Sequence, residues 1–519
     1  GRVLLCADLS PELMANVVSV PLARVPKMNP DRTERDSGRI VWDARFPNEG
    51  CDKEDHPPAL QPRHREVARL LVWWYHRLPG IRILLAKKDV AEAFKWLWVL
   101  LKDVGMFAAD LPGAPFGLGT EMWTAIYTCL TFGWSGSPGE FMIFAWVIKQ
   151  LHGAFAPECP AWNDTVPFFS FFLMDDQVLV EPEIGIRAFI SVSLARRSIT
   201  DIMGPGSINE EKDLEEGSLE TRKIIWGLHY DTEARTVALP TPKLEKAHYL
   251  LWLPEFNEGN TRIPLRLLQE LRGNQQFWLA VLPVLAPYLG ATDAMLAGAD
   301  AQGYARPKGS DVVRERAYRE FWEAIVLQRV LVSTRSQWEV RFQHPLVGSL
   351  TPSERLALPG ASASVVWVTG DATLTRLAAI DWTHKVALVS EAHPYLAPLR
   401  AMVREAEEGA PLRGPITGEE EDLLIIAITE LMTLVCFAAE HADAWAGKLV
   451  LYVGDNRNVQ QRVDSRNAGN PLASWLLRIL VAPECLKQFT VLAAYFRTYH
   501  NVTADDLTRK SKKEVAVLI

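Results

Sequence analysis

The stretch PFFSFFLMDDQVLVEP, residues 167–182, sets two adjacent carboxylates, Asp175 and Asp176, inside an otherwise apolar run. Each apolar half is too short for an ordinary helix, and the pattern predicts two strands joined by a tight turn. Alone, an Asp-Asp pair is a turn former, because each side chain can bond its own backbone. Neighbouring side chains on a strand face opposite ways. A site using both acids therefore needs the turn to bring the second one round, and a third carboxylate from another strand. Asp89 offers one: it ends the strand-like run RILLAKKD and precedes a helix-like run. Carboxylates at strand ends, facing a cleft, suit hard, oxygen-seeking Mg²⁺. Phe94 follows five residues later, where one helical turn would return its ring toward Asp89; core packing is the plain alternative.

The chain around this feature is long and ordinary in composition. Its 519 residues allow three or four domains. With 48% hydrophobic and 23% charged residues it has the make-up of a folded globular protein. The net charge of −8 argues against coating nucleic acid by bulk charge, while a local basic groove remains compatible with it. Six scattered cysteines without a Cys-x-x-Cys pair argue against a zinc site or a disulfide framework and favour a reducing compartment. The opening GRVLLCADLS has no charged start followed by an apolar core, so no secretory leader is expected there. No run is expected to approach the ~18–20 apolar residues of a membrane span. Beginning at Gly1, the chain reads as an excerpt or a processed piece of something longer.

Residues 65–105 predict two helix-like stretches around a strand. Residues 120–155 predict a helix after the turn GWSGSPGE, and GIRAFISVSLARRSITDIMG predicts another. RKIIWGLHYDTEARTVALP predicts a hairpin bending at DTEART, and residues 243–300 are helical in pattern. A charged helix follows, then the small, turn-rich LALPGASAS, and a strand–helix alternation begins at SVVWVTGDAT. This places a domain boundary near residue 360.

Beyond that boundary lies a second set of acids. Asp371 ends SVVWVTGD, Glu430 sits in the helical IIAITELMTLVCFAAE, Asp455 ends KLVLYVGD, and Asp505 falls in HNVTADDLTR. Singly each is a cap or a surface acid. Together, four carboxylates converging on a metal pair suit hydrolysis of a phosphodiester.

The motifs DVAEAF, FGWSGSPGEF and FLMDD, in that order, resemble the palm of reverse transcriptases. GRIVWDARFPN, with Arg39, Asp43, Arg45 and Asn48, is similar to their fingers strand. INEEK and IIWGLHYD resemble the later palm motifs, and LRGNQQFWLAVLPVLAPYLG resembles retrotransposon thumb helices. The second acid set, above all HNVTADDLTR, resembles the ribonuclease H domain that follows the polymerase in retroelements. The resemblance implies an α+β right-hand polymerase with fingers, palm and thumb, followed by an α/β ribonuclease H-like domain. Its parts would be residues 1–80 (fingers), 81–245 (palm with part of the fingers), 246–360 (thumb and connection) and 361–519 (ribonuclease H-like).

On this resemblance Asp89, Asp175 and Asp176 bind two Mg²⁺ ions, with Mn²⁺ as a substitute, and Asp371, Glu430, Asp455 and Asp505 bind a second pair. Phe94 is the gate against a ribose 2′-hydroxyl. Arg39 contacts the triphosphate, with Lys27 as a second candidate, Gly133 lies along the nucleotide, and Lys212 stands near the pyrophosphate. Trp226 and Gly227 hold the primer end. The implied activity is RNA-directed DNA polymerase with ribonuclease H; a decayed or domesticated remnant that binds nucleic acid without catalysis is the competing reading. Implied partners are an RNA template, a DNA primer, the RNA–DNA hybrid and deoxynucleoside triphosphates, with no membrane. The implied setting is cytoplasm, particles or nucleus rather than secretion. Two departures stand out: Leu173 occupies the usual Tyr position, and Phe132 precedes Gly133 as in retrotransposon enzymes. The segment YDTEARTVALPTPKLEKA leans toward a DIRS-type rather than a gypsy-type element.

Overall fold

The computed structural model describes residues 3–5, 10–28, 33–155, 164–360, 365–408, 417–468, 470–497, 501–510 and 514. The chain divides into two compact units, Gly1–Trp226 with Tyr230–Ala234, and Gly227–His229 with Arg235–Ile519.

The first unit is built on an antiparallel sheet of three strands, β1 (Ile83–Asp89), β2 (Ser170–Leu173) and β3 (Asp176–Pro182), with β3 in the middle. The run of Phe, Leu and Val that reads as strand is buried almost throughout, because helices cover the sheet. Helix α1 (Ser137–Gly153) packs against β2, and α2 (Arg187–Met203) against β3. Phe141, Ala145, Ile148, Phe172 and Ile199 form the core between them. Under it lies a buried ion cluster. Arg187 donates from Nε to Glu181 and from Nη1 to Asp164, both at 2.7 Å. The long apolar strand thus accommodates Glu181 because a fixed guanidinium faces one carboxylate oxygen and the Ser191 hydroxyl donates to the other at 2.7 Å.

The second predicted helix of residues 65–105 is not a regular helix. His64–Arg77 is helical, but after β1 the chain makes short 3-10 turns at Ala93–Trp96 and Leu101–Phe107. Glu92 sits in the left-handed region at φ 52°, and the amide of Val99 is drawn into a bond with the carbonyl of Thr128 at 2.9 Å. Tertiary pairing overrides helical propensity here. Between residues 120 and 136 the chain forms the strand Met122–Tyr127 before the predicted helix begins at Ser137.

In the second unit the helices Thr241–Leu251, Leu265–Val281, Ala286–Met295 and Asp311–Val332 precede a five-stranded sheet. Its strands are β6 (Val365–Ala372), β7 (Arg376–Asp381), β8 (Val386–Glu391), β9 (Leu449–Gly454) and β10 (Thr490–Tyr495), the numbers β4 and β5 being the hairpin Arg222–Ile225 and Leu228–Asp231. The order is β8-β7-β6-β9-β10; β6, β9 and β10 pair in parallel, and β7 pairs antiparallel with both β6 and β8. Between residues 222 and 386 the chain therefore forms more short strands than sequence patterning showed. Ile428, Leu431, Leu434 and Phe437 carry helix α4 (Gly418–His441) into the core, where Leu477 and Leu480 meet it. Leu507 of α5 (Val502–Arg509) packs with Ala378 and Ile380.

One expectation is corrected here. Helix α4 is long and apolar enough to cross a membrane, with a mean hydropathy of 2.1 over 18 residues, and 61% of that window is buried. Its apolarity is explained by the sheet and helices that cover it.

Candidate metal centres

The first acid set is organised by the β2–β3 hairpin. Leu173 pairs with Asp176, so Met174 and Asp175 are the two turn residues, and Met174 takes φ 53°. Asp176 stands directly opposite Asp89 in the β1–β3 ladder. The amide of Val90 donates to the Asp175 carbonyl at 3.0 Å, tying the turn to the end of β1. Three acids far apart in the chain are thus gathered at one end of one sheet.

Asp89 is buried and already engaged. Lys212 Nζ donates to its Oδ1 at 2.5 Å and Asn209 Nδ2 to its Oδ2 at 2.8 Å. Asn209 also caps helix α3 (Glu210–Glu216) by accepting from the Lys212 amide, so one residue fixes both the helix and the acid. Sequence reasoning named Lys212 and missed Asn209; its N-cap position ahead of three acidic or basic residues was the available signal. Burial and the neighbouring Asp175 push Asp176 up to about 6, against the pull of Lys87 and Lys212. Burial pulls Lys212 down, but the hydrogen bond and charge of Asp89 leave its ammonium above the ordinary value.

The residues expected around this set are placed as follows. Phe94 is buried, with its ring 4.9 Å from Phe132 and 5.8 Å from Phe141, and belongs to the core of the unit. Arg39 lies opposite Val25 in the strand Glu34–Trp42; its side chain, like that of Lys27, lies outside the described residues. Gly133 has φ 110°, and a Cβ there would meet the Trp42 carbonyl oxygen at 2.6 Å, so only glycine fits. Asn48 holds this turn from both sides, donating to the Gly133 carbonyl and accepting from the Ser135 amide, each at 2.9 Å. Asp43 and Arg45 pair with each other.

Trp226 and Gly227 are the turn of the β4–β5 hairpin, at φ 46° and 83°. Left-handed conformations at both central residues match a type I′ turn. The tight bend lies here, in addition to the DTEART bend that the sequence pattern showed. Trp226 is flanked by the rings of His64 at 5.7 Å and Phe171 at 6.4 Å.

The second acid set closes more tightly. Asp371 on β6, Glu430 on α4 and Asp455 just beyond β9 each offer a carboxylate oxygen within 4.8 Å of the others. Among the described residues no such group forms at Asp89, Asp175 and Asp176. Asp505 on α5 lines the same groove, of about 490 Å³, but pairs with Arg509 at 2.7 Å. Thr508 donates to Asp371 Oδ2 at 2.8 Å, Asn456 to Glu430 Oε1 at 3.3 Å, and Asn501 to the Gly370 carbonyl at 3.1 Å. These three orienting residues were not singled out from the sequence. Burial and then the charge of Asp455 push Glu430 up to about 8. Burial, partly offset by the Thr508 hydroxyl, pushes Asp371 up to about 6. An all-oxygen set whose charges repel one another fits a hard divalent cation such as Mg²⁺ or Mn²⁺.

No family model matches this chain, and no curated protein matches it. Among solved structures it is similar to a foamy viral protease-reverse transcriptase in complex with double-stranded DNA. Identity is 13% and the TM-score 0.42, over 96% of this chain and 80% of that one. A second foamy viral protease-reverse transcriptase, designated dRH and also with double-stranded DNA, gives 12%, 0.41, 96% and 67%. Both are foamy viral proteins, and neither is a DIRS-type or a gypsy-type element.

Proposed function

We propose that the chain is an RNA-directed DNA polymerase of a retroelement with a C-terminal ribonuclease H. The observation that carries this reading is the convergence of Asp371, Glu430 and Asp455 from three separate elements, alongside a second acid set at the β2–β3 turn. In this reading residues 1–245 are fingers and palm, 246–360 thumb and connection, and 361–519 the nuclease.

Asp89, Asp175 and Asp176 would hold divalent ions in the polymerase, and Asp371, Glu430, Asp455 and Asp505 in the nuclease. Bound there, such ions activate an attacking hydroxyl or water and stabilise the leaving oxygen. The chain's own residues do the rest. Lys212 keeps a proton at Nζ beside Asp89, placed to give it to a departing pyrophosphate. Phe94, braced by Phe132 and Phe141, presents a ring that a ribose 2′-hydroxyl would strike. The Gly133 turn, clamped by Asn48, lets backbone approach the nucleotide, and the Trp226–Gly227 turn supports the primer end. Substrates would be a primed RNA template, deoxynucleoside triphosphates and the RNA–DNA hybrid.

The test is primer extension on poly(rA)·oligo(dT) with Mg²⁺, and cleavage of a labelled hybrid, for the parent, Asp175→Asn and Asp371→Asn. Asp175→Asn should lose extension alone and Asp371→Asn cleavage alone. A folded parent that binds the hybrid but does neither would establish a remnant without catalysis.

A further inference from the structure

The segment NEGCDKEDHPP, residues 48–58, has no part in either acid set, yet it builds a second kind of site. After the helix Arg45–Glu49 the chain turns through Cys51 and a 3-10 turn, Lys53–Asp55, to His56 and Pro57. It is seated on the first turn of α1 by Gly139: a Cβ there would lie 1.9 Å from the Pro57 carbonyl oxygen, so no other residue allows the approach. The next residue, Glu140, then meets His56, with Oε1 3.2 Å from Nδ1. On the other side of the ring, Nε2 is 3.0 Å from Cys51 Sγ. Trp134 holds the imidazole edge-on at 4.9 Å.

These contacts select one tautomer. The Glu140 carboxylate only accepts, so His56 donates from Nδ1, and Nε2 is left with its lone pair toward the thiol. A nucleophile, a base beside it and a third group orienting the base is the arrangement that activates a thiol. All three side chains line one cavity of about 530 Å³. Its apolar wall includes Trp98, Phe107 and Phe144, of which Trp98 is 66% exposed. Asp52, Asp55 and Asp103 on the same lining disfavour anions.

We propose that Cys51 is a nucleophilic thiol that takes small, uncharged, apolar α,β-unsaturated carbonyl compounds as covalent ligands in this cavity. The S–H proton passes to His56 Nε2 as Sγ bonds the β-carbon. The C=C electron pair moves to the α-carbon, which then takes the proton back from His56. Nothing leaves, and no oxidant or reductant is consumed.

The probe is N-ethylmaleimide at limiting concentration on the full chain, with each cysteine followed by peptide mass spectrometry. Cys51 should react about tenfold or more faster than the more exposed Cys436. His56→Gln and Glu140→Gln should each slow Cys51 by a similar factor without changing Cys436. A maleimide bearing a sulfonate should lose the preference for Cys51. Equal rates at Cys51 and Cys436 in the parent, or an unchanged Cys51 rate in a folded His56→Gln, would overturn the proposal. If His56→Gln opens the fold, which labelling of buried Cys129 and Cys485 would reveal, the parent rate ratio and the sulfonate comparison decide.

Discussion

Replacing Glu430 with Gln should stabilise the metal-free protein while abolishing the proposed hybrid cleavage. Glu430 is buried among like charges and its carboxyl is raised from 4.5 to about 8. Between those values the folded chain holds a proton that the unfolded chain releases, so stability falls as pH rises through that window. The raised carboxyl thus lowers folding stability by about 4 kcal/mol at pH 8 and by under about 1 kcal/mol at pH 5. Gln keeps the oxygen that accepts from Asn456 and adds an amide donor for its carboxylate neighbours. The variant should therefore be more stable than the parent by about 2–4 kcal/mol at pH 8 in EDTA, with most of that gain gone at pH 5. The assay is urea unfolding at both pH values, followed by tryptophan fluorescence, to which Trp445, buried in the same core, contributes. Mg²⁺ should raise the parent's midpoint more than the variant's, because binding stabilises only a chain that can hold the ion. A variant no more stable than the parent at pH 8, or a gap equal at both pH values, would refute this account of the cluster.

Other perturbations probe the first unit. Phe94→Val should admit ribonucleotides in primer extension; unchanged rejection would show that Phe94 only packs the core. Arg187→Met should destabilise the unit by about 3–5 kcal/mol in chemical denaturation, because it strands Glu181 and Asp164 without their cation. Gly133→Ala should cost about 2–4 kcal/mol of stability, since φ 110° and the Trp42 carbonyl both oppose a Cβ. Asn48→Ala, which frees the same turn without a clash, should weaken nucleotide affinity in steady-state kinetics more than it lowers the melting temperature.

What the sequence made legible follows from how local each feature is. The β2–β3 hairpin was readable because its apolar halves and turn residues are contiguous, and Asp175 and Asp176 came with it. The I′ bend at Trp226 was hidden because its first turn position holds a tryptophan, which carries no turn signal of its own. The 3-10 path after β1 was hidden because it is imposed by pairing with residues 128–130, and no local pattern encodes that. The same distinction separates the two acid sets. In the second acid set, Thr508 and Asn456 sit beside acids already found and orient oxygens that converge unaided. In the first acid set, Asp89 is instead held by Lys212 and Asn209 from another element. A lone buried carboxylate is costly, and a neighbouring ammonium neutralises it much as a metal would. Loading the proposed divalent ion at Asp89 would therefore require releasing that ammonium. Lys212→Ala should consequently tighten Mn²⁺ binding in equilibrium titration even as it slows chemistry. Weaker Mn²⁺ binding would mean that Lys212 supports the ion site and does not compete with it.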